Sequence, residues 1–333
     1  MELNRFLVRV LIVLTLFSPL QAWAQNDSER SYETHPDALA LVDEMVEEHA
    51  FDRQALLDIF SEARYRDSIV QLMDAPAEGK PWKDYRPIFV TNKRALAGKA
   101  FMAAHLETLK RAEQQFGVPA EIIVAIIGVE TYYGTHAGKT RVLDALSTLA
   151  FDYPRRSAFF RKELKAYLQL TRDEQVDPAS LKGSYAGAMG YGQFMPSSFL
   201  HYAIDFDGDG YRDIWHNPVD AIGSVANYFA RHGWKQGEPV VSKAHFSGDA
   251  KAVNWVRGRK NLKPDYKLSE LIKLGLEPQA GLDIQQPSTP IRFTGARGKE
   301  YWVGLHNFYV ITRYNHSALY AMSVYQLSQK IAN

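Results

Sequence analysis

Residues 122–134 of the chain read IIVAIIGVETYYG, and this stretch decides the fold. Its aliphatic side chains surround the whole helix rather than one face, which predicts a helix buried inside the protein. Near its end, Glu130 follows Ile126 by four residues and Ile127 by three, so it shares a face with aliphatic side chains. Burial there disfavours the carboxylate and favours the protonated form that a general acid near neutral pH requires. The alternative is that Glu130 simply reaches solvent at the C-terminal end of the helix.

The composition is that of a globular protein rather than a disordered chain, a coiled coil or a collagen. The 333 residues are 46% hydrophobic and 23% charged, which suits about one to three domains. The formal net charge of +1 argues against a nucleic-acid partner, because a basic binding face carries a strong positive excess. The chain has no cysteine, which excludes disulfides, thiolate metal sites and a cysteine nucleophile.

The first 24 residues have the pattern of a secretory signal peptide. Arg5 and Arg9 flank the start of an apolar run over residues 10–17, Pro19 breaks the run, and AWA at residues 22–24 supplies a cleavage site. An uncleaved N-terminal anchor is the alternative, although the run is short for a membrane span. We therefore expect an exported, soluble protein that is neutral after cleavage and has no cysteine for a lipid anchor.

Helical patterns and breaks divide the rest of the chain. Residues 36–117 are helical in pattern, with Asp52 as a capping residue, and a helix beginning at Thr91 ends at GVP over residues 117–119. Proline and glycine at four positions between 76 and 87 predict a loop there. We predict a mainly α protein with a signal peptide at 1–24, an N-terminal helical domain at 25–118, a central core at 119–235, a small β-rich domain at 236–300 and a C-terminal segment at 301–333 that returns to the core.

Residues 183–199, GSYAGAMGYGQFMPSSF, combine glycines with hydrogen-bonding and aromatic side chains. Ser184 and Gln193 offer polar contacts, while Tyr191 and Phe194 offer ring faces, a mixture that suits a groove for a sugar chain. A nucleotide-binding loop is excluded, because the third glycine and a preceding strand are missing. A purely structural hairpin is the alternative.

Residues 205–213, DFDGDGYRD, match the first part of an EF-hand calcium loop. Asp205, Asp207 and Asp209 occupy loop positions 1, 3 and 5, and a glycine occupies position 6. His216 stands at position 12, where an EF-hand has a bidentate glutamate, and the next carboxylate is Asp220. The pattern predicts a calcium ion in a longer loop, with a solvated acidic turn as the alternative.

Other signals are weaker. Arg155 and Arg156 can meet acidic groups on a ligand, although paired surface arginines are usually solvated. Tyr314, Asn315 and Tyr320 near the C-terminus are ambiguous by themselves. No His-Glu-x-x-His zinc motif and no Gly-x-Ser-x-Gly nucleophile elbow occurs in the sequence.

Several segments together resemble the lytic murein transglycosylase B family. They are VET at 129–131, the 187–199 loop, the acidic loop, YPRR at 153–156, DAIGSVANYF at 220–229 and FYVITRYNHS at 308–317. The likeness covers about residues 36–333, and the combination is far more specific than any one motif.

The resemblance implies a lysozyme-like α-helical core with an N-terminal α domain and a small β-rich domain. It implies a periplasmic enzyme that cleaves the β-1,4 bond between N-acetylmuramic acid and N-acetylglucosamine in peptidoglycan without water. The products then end in 1,6-anhydromuramic acid. The expected partner is the glycan strand, bound by a monomer without a lipid anchor and without nucleic acid.

The resemblance also assigns roles to residues of this sequence. Glu130 is implied as the catalytic acid and base, with no cofactor for the chemistry. The implied groove residues are Tyr85, Arg155, Arg156, Ser184, Gln193, Tyr228, Tyr314, Asn315 and Tyr320. The implied ligands of a structural calcium ion are Asp205, Asp207, Asp209, Tyr211 through its carbonyl group, and Asp220. Two departures from the family stand out, an extra residue before Asp220 and the missing lipid-attachment cysteine.

A single acidic residue agrees with this chemistry, since ordinary glycosidases need two carboxylates. Between residues 120 and 199, Glu130 alone combines an apolar setting with groove-like sequence nearby. The remaining acidic residues considered there occur in more polar sequence contexts: Asp144, Asp152, Glu163, Asp173, Glu174 and Asp177. A hydrolytic muramidase with an unrecognised second carboxylate is one alternative function. A non-catalytic peptidoglycan-binding protein is the other.

Overall fold

The structure is a computed structural model that describes residues 30–74, 79–279 and 281–333. The predicted signal peptide at residues 1–24 lies outside the described residues.

The first third of the chain is helical, as its sequence indicates. The side chain of Asp52 caps the second helix by accepting a backbone N–H at 2.8 Å, and Gly117 ends the sixth in the left-handed conformation, with φ of 70°. The helix expected between residues 91 and 115 is interrupted at His105, whose backbone leaves helical values. The helices are α1 (Pro36–His49), α2 (Arg53–Glu62), α3 (Asp67–Asp74), α4 (Trp82–Phe89), α5 (Asn92–Ala104) and α6 (Leu106–Phe116).

Helix α4 forms where the prolines predict a loop, so that expectation is wrong. Pro81 stands before the first turn, where a fixed φ and a missing N–H are tolerated, but Pro87 lies inside the helix and removes one hydrogen bond. Packing compensates for that loss. Trp82 is 1% exposed and stacks on Phe293 at a ring-centroid distance of 5.1 Å. Tertiary contacts therefore override the local preference.

A buried helix, α7 (Ala120–Thr131), lies at the centre of the molecule. Every residue from Ile122 to Val129 is buried, which confirms the prediction from its all-round apolar character. It contacts α5, α6 and two later helices. The remaining elements of this region are β1 (Thr140–Arg141), α8 (Val142–Phe151), α9 (Ser157–Asp173), β2 (Lys182–Gly183), α10 (Pro196–Tyr202) and α11 (Pro218–Arg231).

Among the described helices, none by itself is long and apolar enough to cross a membrane. Only α6 and α7 together reach that length and composition, and they are bent by 113° relative to each other.

A five-stranded antiparallel sheet follows, with the strand order β4-β6-β7-β3-β5. Its elements are β3 (Val241–Phe246), β4 (Tyr266–Lys267), α12 (Leu268–Lys273), β5 (Leu276–Pro278), β6 (Pro287–Gly295) and β7 (Gly298–Gly304). Trp255, Leu268, Leu271 and Leu276 belong to a small core of its own, whereas Ile291 on β6 joins the main core. The sheet is thus a separately packed unit that rests on the helical body.

The C-terminal segment consists of α13 (His306–Tyr314) and α14 (Ala318–Ala332). Helix α14 packs against α7, α5 and α4. The expected boundary at residue 300 needs correction, because β7 pairs with β6 from Gly298 to Gly304 without a break. The other domain boundaries stay predictions.

The contact between Trp82 and the sheet can be tested by truncation. We expect Trp82→Ala to lower the free energy of unfolding by about 3 kcal/mol, because it removes a large buried ring and leaves a cavity. Urea denaturation measures the loss. Leu96→Ala, at a side chain that is 66% exposed, is the control and is expected to change stability by less than about 0.5 kcal/mol. Equal effects of the two variants would contradict the packing described here.

Candidate active site

Glu130 lies at the C-terminal end of α7, next to residues with an uncommon backbone conformation. Tyr132 and Tyr133 both adopt left-handed φ values, 51° and 62°, which are uncommon for residues with side chains. The ring of Tyr133 fits because Gly128 has no side chain, since a Cβ there would lie 2.6 Å from the Tyr133 hydroxyl oxygen. Arg94 donates a hydrogen bond to the carbonyl oxygen of Gly128. Sequence reasoning missed Arg94, because nothing links it to α7 except the folded chain.

Glu130 lies against a tyrosine from α14. The hydroxyl group of Tyr320 donates a hydrogen bond of 2.5 Å to Oε1 of Glu130. Burial raises the pKa of the Glu130 carboxyl group to about 7, although the bond from Tyr320 acts in the opposite direction. The residue as a whole is half-buried, and its carboxyl group is desolvated by the surrounding protein. This is the state that the sequence predicts for a general acid.

Two further tyrosines face the same carboxyl group. Burial raises the pKa of Tyr85 to about 12, with the charge of Glu130 as the second cause. Burial and then the charge of Glu130 also raise the pKa of Tyr314, and the same two causes act on Tyr320. The structure therefore gathers three of the predicted groove residues around Glu130, from α4, α13 and α14.

Tyr314 is fixed in place by its neighbours. Its hydroxyl group donates to the carbonyl oxygen of Gly192 at 2.6 Å, and a Cβ at Gly192 would lie 2.7 Å from that hydroxyl oxygen. The ring of Tyr228 packs against Tyr314 at 4.7 Å, while its hydroxyl group donates to the carbonyl oxygen of Arg313 at 2.7 Å. Tyr228 thus supports Tyr314, and its own hydroxyl group is engaged within the protein.

The glycine-rich segment is a hairpin that is fastened to the end of α7. Ser184 accepts the N–H of Ala188 at its Oγ atom at 3.0 Å, and isolated bridges pair residue 189 with residues 183 and 194. The side-chain amide of Gln193 donates to the carbonyl oxygen of Ala137 at 3.1 Å. Thr131 donates to the carbonyl oxygen of Tyr191 at 2.9 Å. Ser184 and Gln193 therefore have structural hydrogen bonds, and their roles in a groove stay predictions.

Three predicted groove residues make their described contacts away from Glu130. Arg155 is exposed and pairs with Asp74 at 2.8 Å. Arg156 stacks on the ring of Phe159 at 4.5 Å, at the start of α9. Asn315 is exposed at the end of α13. Their binding roles stay predictions.

Other carboxyl groups near the core have protein partners, and three of them are buried contrary to their polar sequence contexts. Asp144 is 1% exposed and pairs with Arg66 at 3.0 Å. Glu163 accepts both the N–H and the hydroxyl group of Ser197, and Glu174 pairs with Arg212. Their neighbours in the sequence are polar, but in the fold these carboxyl groups are buried. Their polar contacts are the partners named above. Glu130 differs from Asp144 and Glu174 because it has no ion-pair partner among the described residues, and from Glu163 because its hydrogen-bond partner is a tyrosine rather than Ser197.

The acidic loop brings three aspartates together. Ligand oxygens of Asp205, Asp207 and Asp209 lie within 4.8 Å of one another. The N–H groups of Gly210, Gly208 and Asp209 lower the pKa of Asp205, so it is held as an anion. Hard oxygen ligands at this spacing suit calcium. Tyr211 follows them and is 48% exposed.

Asp220 has a different position from these three. It is fully buried at the start of α11, and its two oxygens accept the N–H groups of Phe206 and Asp213 at 2.7 and 2.9 Å. Burial raises its pKa to about 6. Asp220 therefore joins the two ends of the loop, and its role as a direct ligand stays a prediction.

Comparisons with known proteins agree with this geometry. The family model described as Transglycosylase SLT domain matches residues 34–329. Membrane-bound lytic murein transglycosylase B of Escherichia coli (strain K12) is 49% identical over 311 residues, which is 90% of this chain and 84% of the relative.

Solved structures are similar over the same length. The catenated lytic transglycosylase SltB1 from Pseudomonas aeruginosa is 53% identical, with a TM-score of 0.86 over 90% of this chain and 98% of that chain. The Escherichia coli lytic transglycosylase Slt35 in complex with calcium is 50% identical, with a TM-score of 0.83 over 90% and 94% of the two chains.

The fold and the site therefore define a lysozyme-like, mainly α enzyme with a small sheet, as the resemblance implies. The chain belongs to the SLT-domain transglycosylases, within the lytic murein transglycosylase B family.

The bond between Tyr320 and Glu130 can be tested by a pH profile. The Tyr320 hydroxyl stabilises the ionised carboxylate, so we expect Tyr320→Phe to raise the pKa of Glu130 above about 7. The alkaline limb of kcat/KM then moves to higher pH by about one unit, even though kcat/KM itself falls. Tyr325→Phe changes a half-buried tyrosine of the same helix and is expected to leave the limb in place. A limb that stays or moves to lower pH in Tyr320→Phe would refute this assignment.

Proposed function

We propose that Glu130 is the single acid and base of a lytic transglycosylase reaction on peptidoglycan. The chain is a peptidoglycan lytic transglycosylase by family and fold. The bond cleaved is the β-1,4 bond between N-acetylmuramic acid and N-acetylglucosamine. The observation that carries the role of Glu130 is its desolvated carboxyl group, which has a pKa of about 7 and a tyrosine as its hydrogen-bond partner.

In the first step, protonated Glu130 donates its proton to the glycosidic oxygen as the bond from C1 of the muramic sugar breaks. The leaving N-acetylglucosamine departs as an alcohol, and Glu130 is left as a carboxylate. The carbonyl oxygen of the 2-acetamido group stabilises the positive charge that develops at C1. Tyr320 stabilises the new carboxylate through its hydrogen bond. A pKa near 7 suits both states of the group.

In the second step, the carboxylate of Glu130 removes the proton from the C6 hydroxyl group of the muramic sugar. The C6 oxygen attacks C1 and closes the 1,6-anhydro ring, which returns Glu130 to its protonated form. No water enters the products, so no second carboxylate is required to activate one. This agrees with the paired state of Asp144, Glu163 and Glu174.

Positioning of the sugar supplies the remaining part of catalysis. Tyr85, Tyr314 and Tyr320 surround Glu130, and the half-buried rings of Tyr85 and Tyr314 offer surfaces on which sugar rings can pack. Holding the C6 hydroxyl group near C1 converts ring closure into a well-oriented intramolecular reaction, which lowers its barrier. We include the other predicted groove residues, Ser184, Gln193, Tyr228, Asn315, Arg155 and Arg156, in a longer groove that extends away from Glu130.

Because peptidoglycan lies outside the cytoplasmic membrane, the proposed place of action is the periplasm. The predicted signal peptide agrees with export, and the absence of cysteine supports an enzyme without a lipid anchor. We expect it to act as a monomer.

The proposed reaction predicts its own products. Mass spectrometry of muropeptides released by the purified protein is expected to show muramic ends that are one water lighter than reducing ends. Reducing ends as the main product would indicate a hydrolytic muramidase, and unchanged glycan would indicate a binding protein.

The role of Glu130 is tested by Glu130→Gln, for which we expect a loss of activity of about 10³-fold. The folded-state pKa of about 7 lies above the ordinary value of 4.5, so the wild type loses stability as the pH rises from about 4.5 to about 7, and the loss is complete above pH 7. The glutamine variant avoids this cost, and its melting temperature is expected to exceed that of the wild type at pH 8 but not at pH 4. If the variant is inactive and also less stable than the wild type at pH 8, its loss of activity is attributable to misfolding. That result would count against the assignment.

We also propose a structural calcium ion in the acidic loop. Asp205, Asp207 and Asp209 supply carboxylate oxygens, and the carbonyl group of Tyr211 adds a further oxygen. Asp220 holds the loop through the N–H groups of Phe206 and Asp213 or completes the ligand set. The calcium complex of the Escherichia coli relative Slt35 supports the same ion in this chain. We assign the ion a structural role, because the two proposed steps at Glu130 require no metal.

Thermal unfolding tests this site. We expect the melting temperature of the wild type to rise by several degrees with added calcium, because the ion binds the folded protein. Asp205→Asn/Asp209→Asn is expected to abolish the rise. Glu33→Gln/Glu47→Gln removes the same two charges from exposed positions and is expected to keep it. A calcium response in the loop variant would show that the ion binds elsewhere.

A further inference from the structure

The guanidinium group of Arg94 joins the C-terminal ends of two helices that form the candidate active site. It donates hydrogen bonds to the carbonyl oxygen of Gly128 near the end of α7 and, at 3.3 Å, to that of Ile88 near the end of α4. Helix α7 carries Glu130, and α4 carries Tyr85, whose pKa responds to the charge of Glu130. One side chain thus connects the helix of the acid with the helix of a tyrosine that faces it.

The left-handed turn that follows Glu130 rests on the same part of α5. The guanidinium group of Arg94 lies over the ring of Tyr132, 4.9 Å from its centroid. The hydroxyl group of Tyr133 donates to the backbone carbonyl oxygen of Arg94 at 2.8 Å. Four residues further along α5, a Cβ at Gly98 would lie 2.5 Å from that hydroxyl oxygen. Arg94 therefore contacts both left-handed residues through two different groups.

Arg94 is a half-buried cation whose partners are not carboxylates. Burial lowers its pKa, and the groups that act in the opposite direction are Tyr133 and Tyr132. Its Nε atom is buried and has no hydrogen-bond partner in the described part of the chain. The C-terminal ends of two helices stabilise the positive charge, because their carbonyl groups carry partial negative charge. A planar guanidinium group with donors in a fixed arrangement also sets the positions of the carbonyl groups that it binds.

We propose that Arg94 is a positioning residue of the transglycosylase reaction, which fixes Glu130 and Tyr85 relative to each other. This inference rests on the proposed function, because it takes Glu130 as the reacting group. Arg94 acts through the backbone of α7 and α4 rather than by its charge, since burial and the hydrogen bond from Tyr320 are what set the pKa of Glu130.

Substitution of Arg94 tests the proposal on peptidoglycan strands, with anhydro-ended products as the measure of rate. Arg94→Met removes both hydrogen bonds, and we expect kcat to fall about 10²-fold because the acid is displaced. A looser site admits water to Glu130, so the alkaline limb of kcat/KM is expected to move to lower pH by about half a unit. A smaller folded fraction would lower the profile without moving it. Arg94→Lys keeps the charge without the fork and is expected to lose about tenfold in kcat.

Arg64→Met is the matched control. Arg64 is also a half-buried arginine, and its guanidinium group donates to the carbonyl oxygens of Ser61 and Ala63 after the end of α2. We expect this variant to lower the melting temperature about as much as Arg94→Met does. Its kcat and its alkaline limb are expected to equal those of the wild type.

The outcomes separate this inference from the proposed function. A wild-type kcat in Arg94→Met, or a limb that stays in place, would overturn the positioning role alone. A limb that moves to higher pH would show a direct effect of the charge and overturn it as well. If Arg94→Met does not fold, an unchanged kcat and limb in Arg94→Lys would overturn it in the same way. Full activity of Glu130→Gln would instead overturn the proposed function.

Discussion

The hydrogen bond from Tyr320 to Glu130 joins residues that are 190 positions apart, and the rest of the site depends on it. It forms only when α14 returns to pack against α7, so the last helix completes the surroundings of a carboxyl group near the middle of the chain. That packing desolvates the carboxyl group, while the tyrosine hydroxyl keeps its ionised form accessible. Burial and one hydrogen bond thus hold a single group between two protonation states.

Glu130 is held in place by features that restrict the backbone around it. The left-handed residues Tyr132 and Tyr133 end α7 abruptly, and strain of this kind persists only where surrounding contacts determine it. Those contacts come from Arg94, which holds the helix end, and from Thr131, which fastens it to the glycine-rich hairpin. The hairpin therefore helps to support Glu130 and is also a candidate wall of the groove.

Charge is distributed differently at two concave surfaces of the molecule. The proposed catalytic site is built from tyrosines around one acid, and in our proposal it holds the glycan by contact and hydrogen bonding, which agrees with the near-neutral net charge of the chain. A separate cavity between α4 and the strands β3 and β7 is lined by five cations, Lys83, Arg86, Lys243, Arg297 and Lys299.

The sequence by itself determined the buried helix and its acidic end, the caps at Asp52 and Gly117, and the grouping of acidic residues in one loop, because these depend on neighbours along the chain. It could not determine helix α4, which survives Pro87 through the contact of Trp82 with a distant strand. Nor could it show that Asp144 is buried against Arg66, or that the cations of α4 and β3 face one groove. Desolvation, ion pairing and groove formation depend on which distant elements meet, and only the tertiary structure decides that.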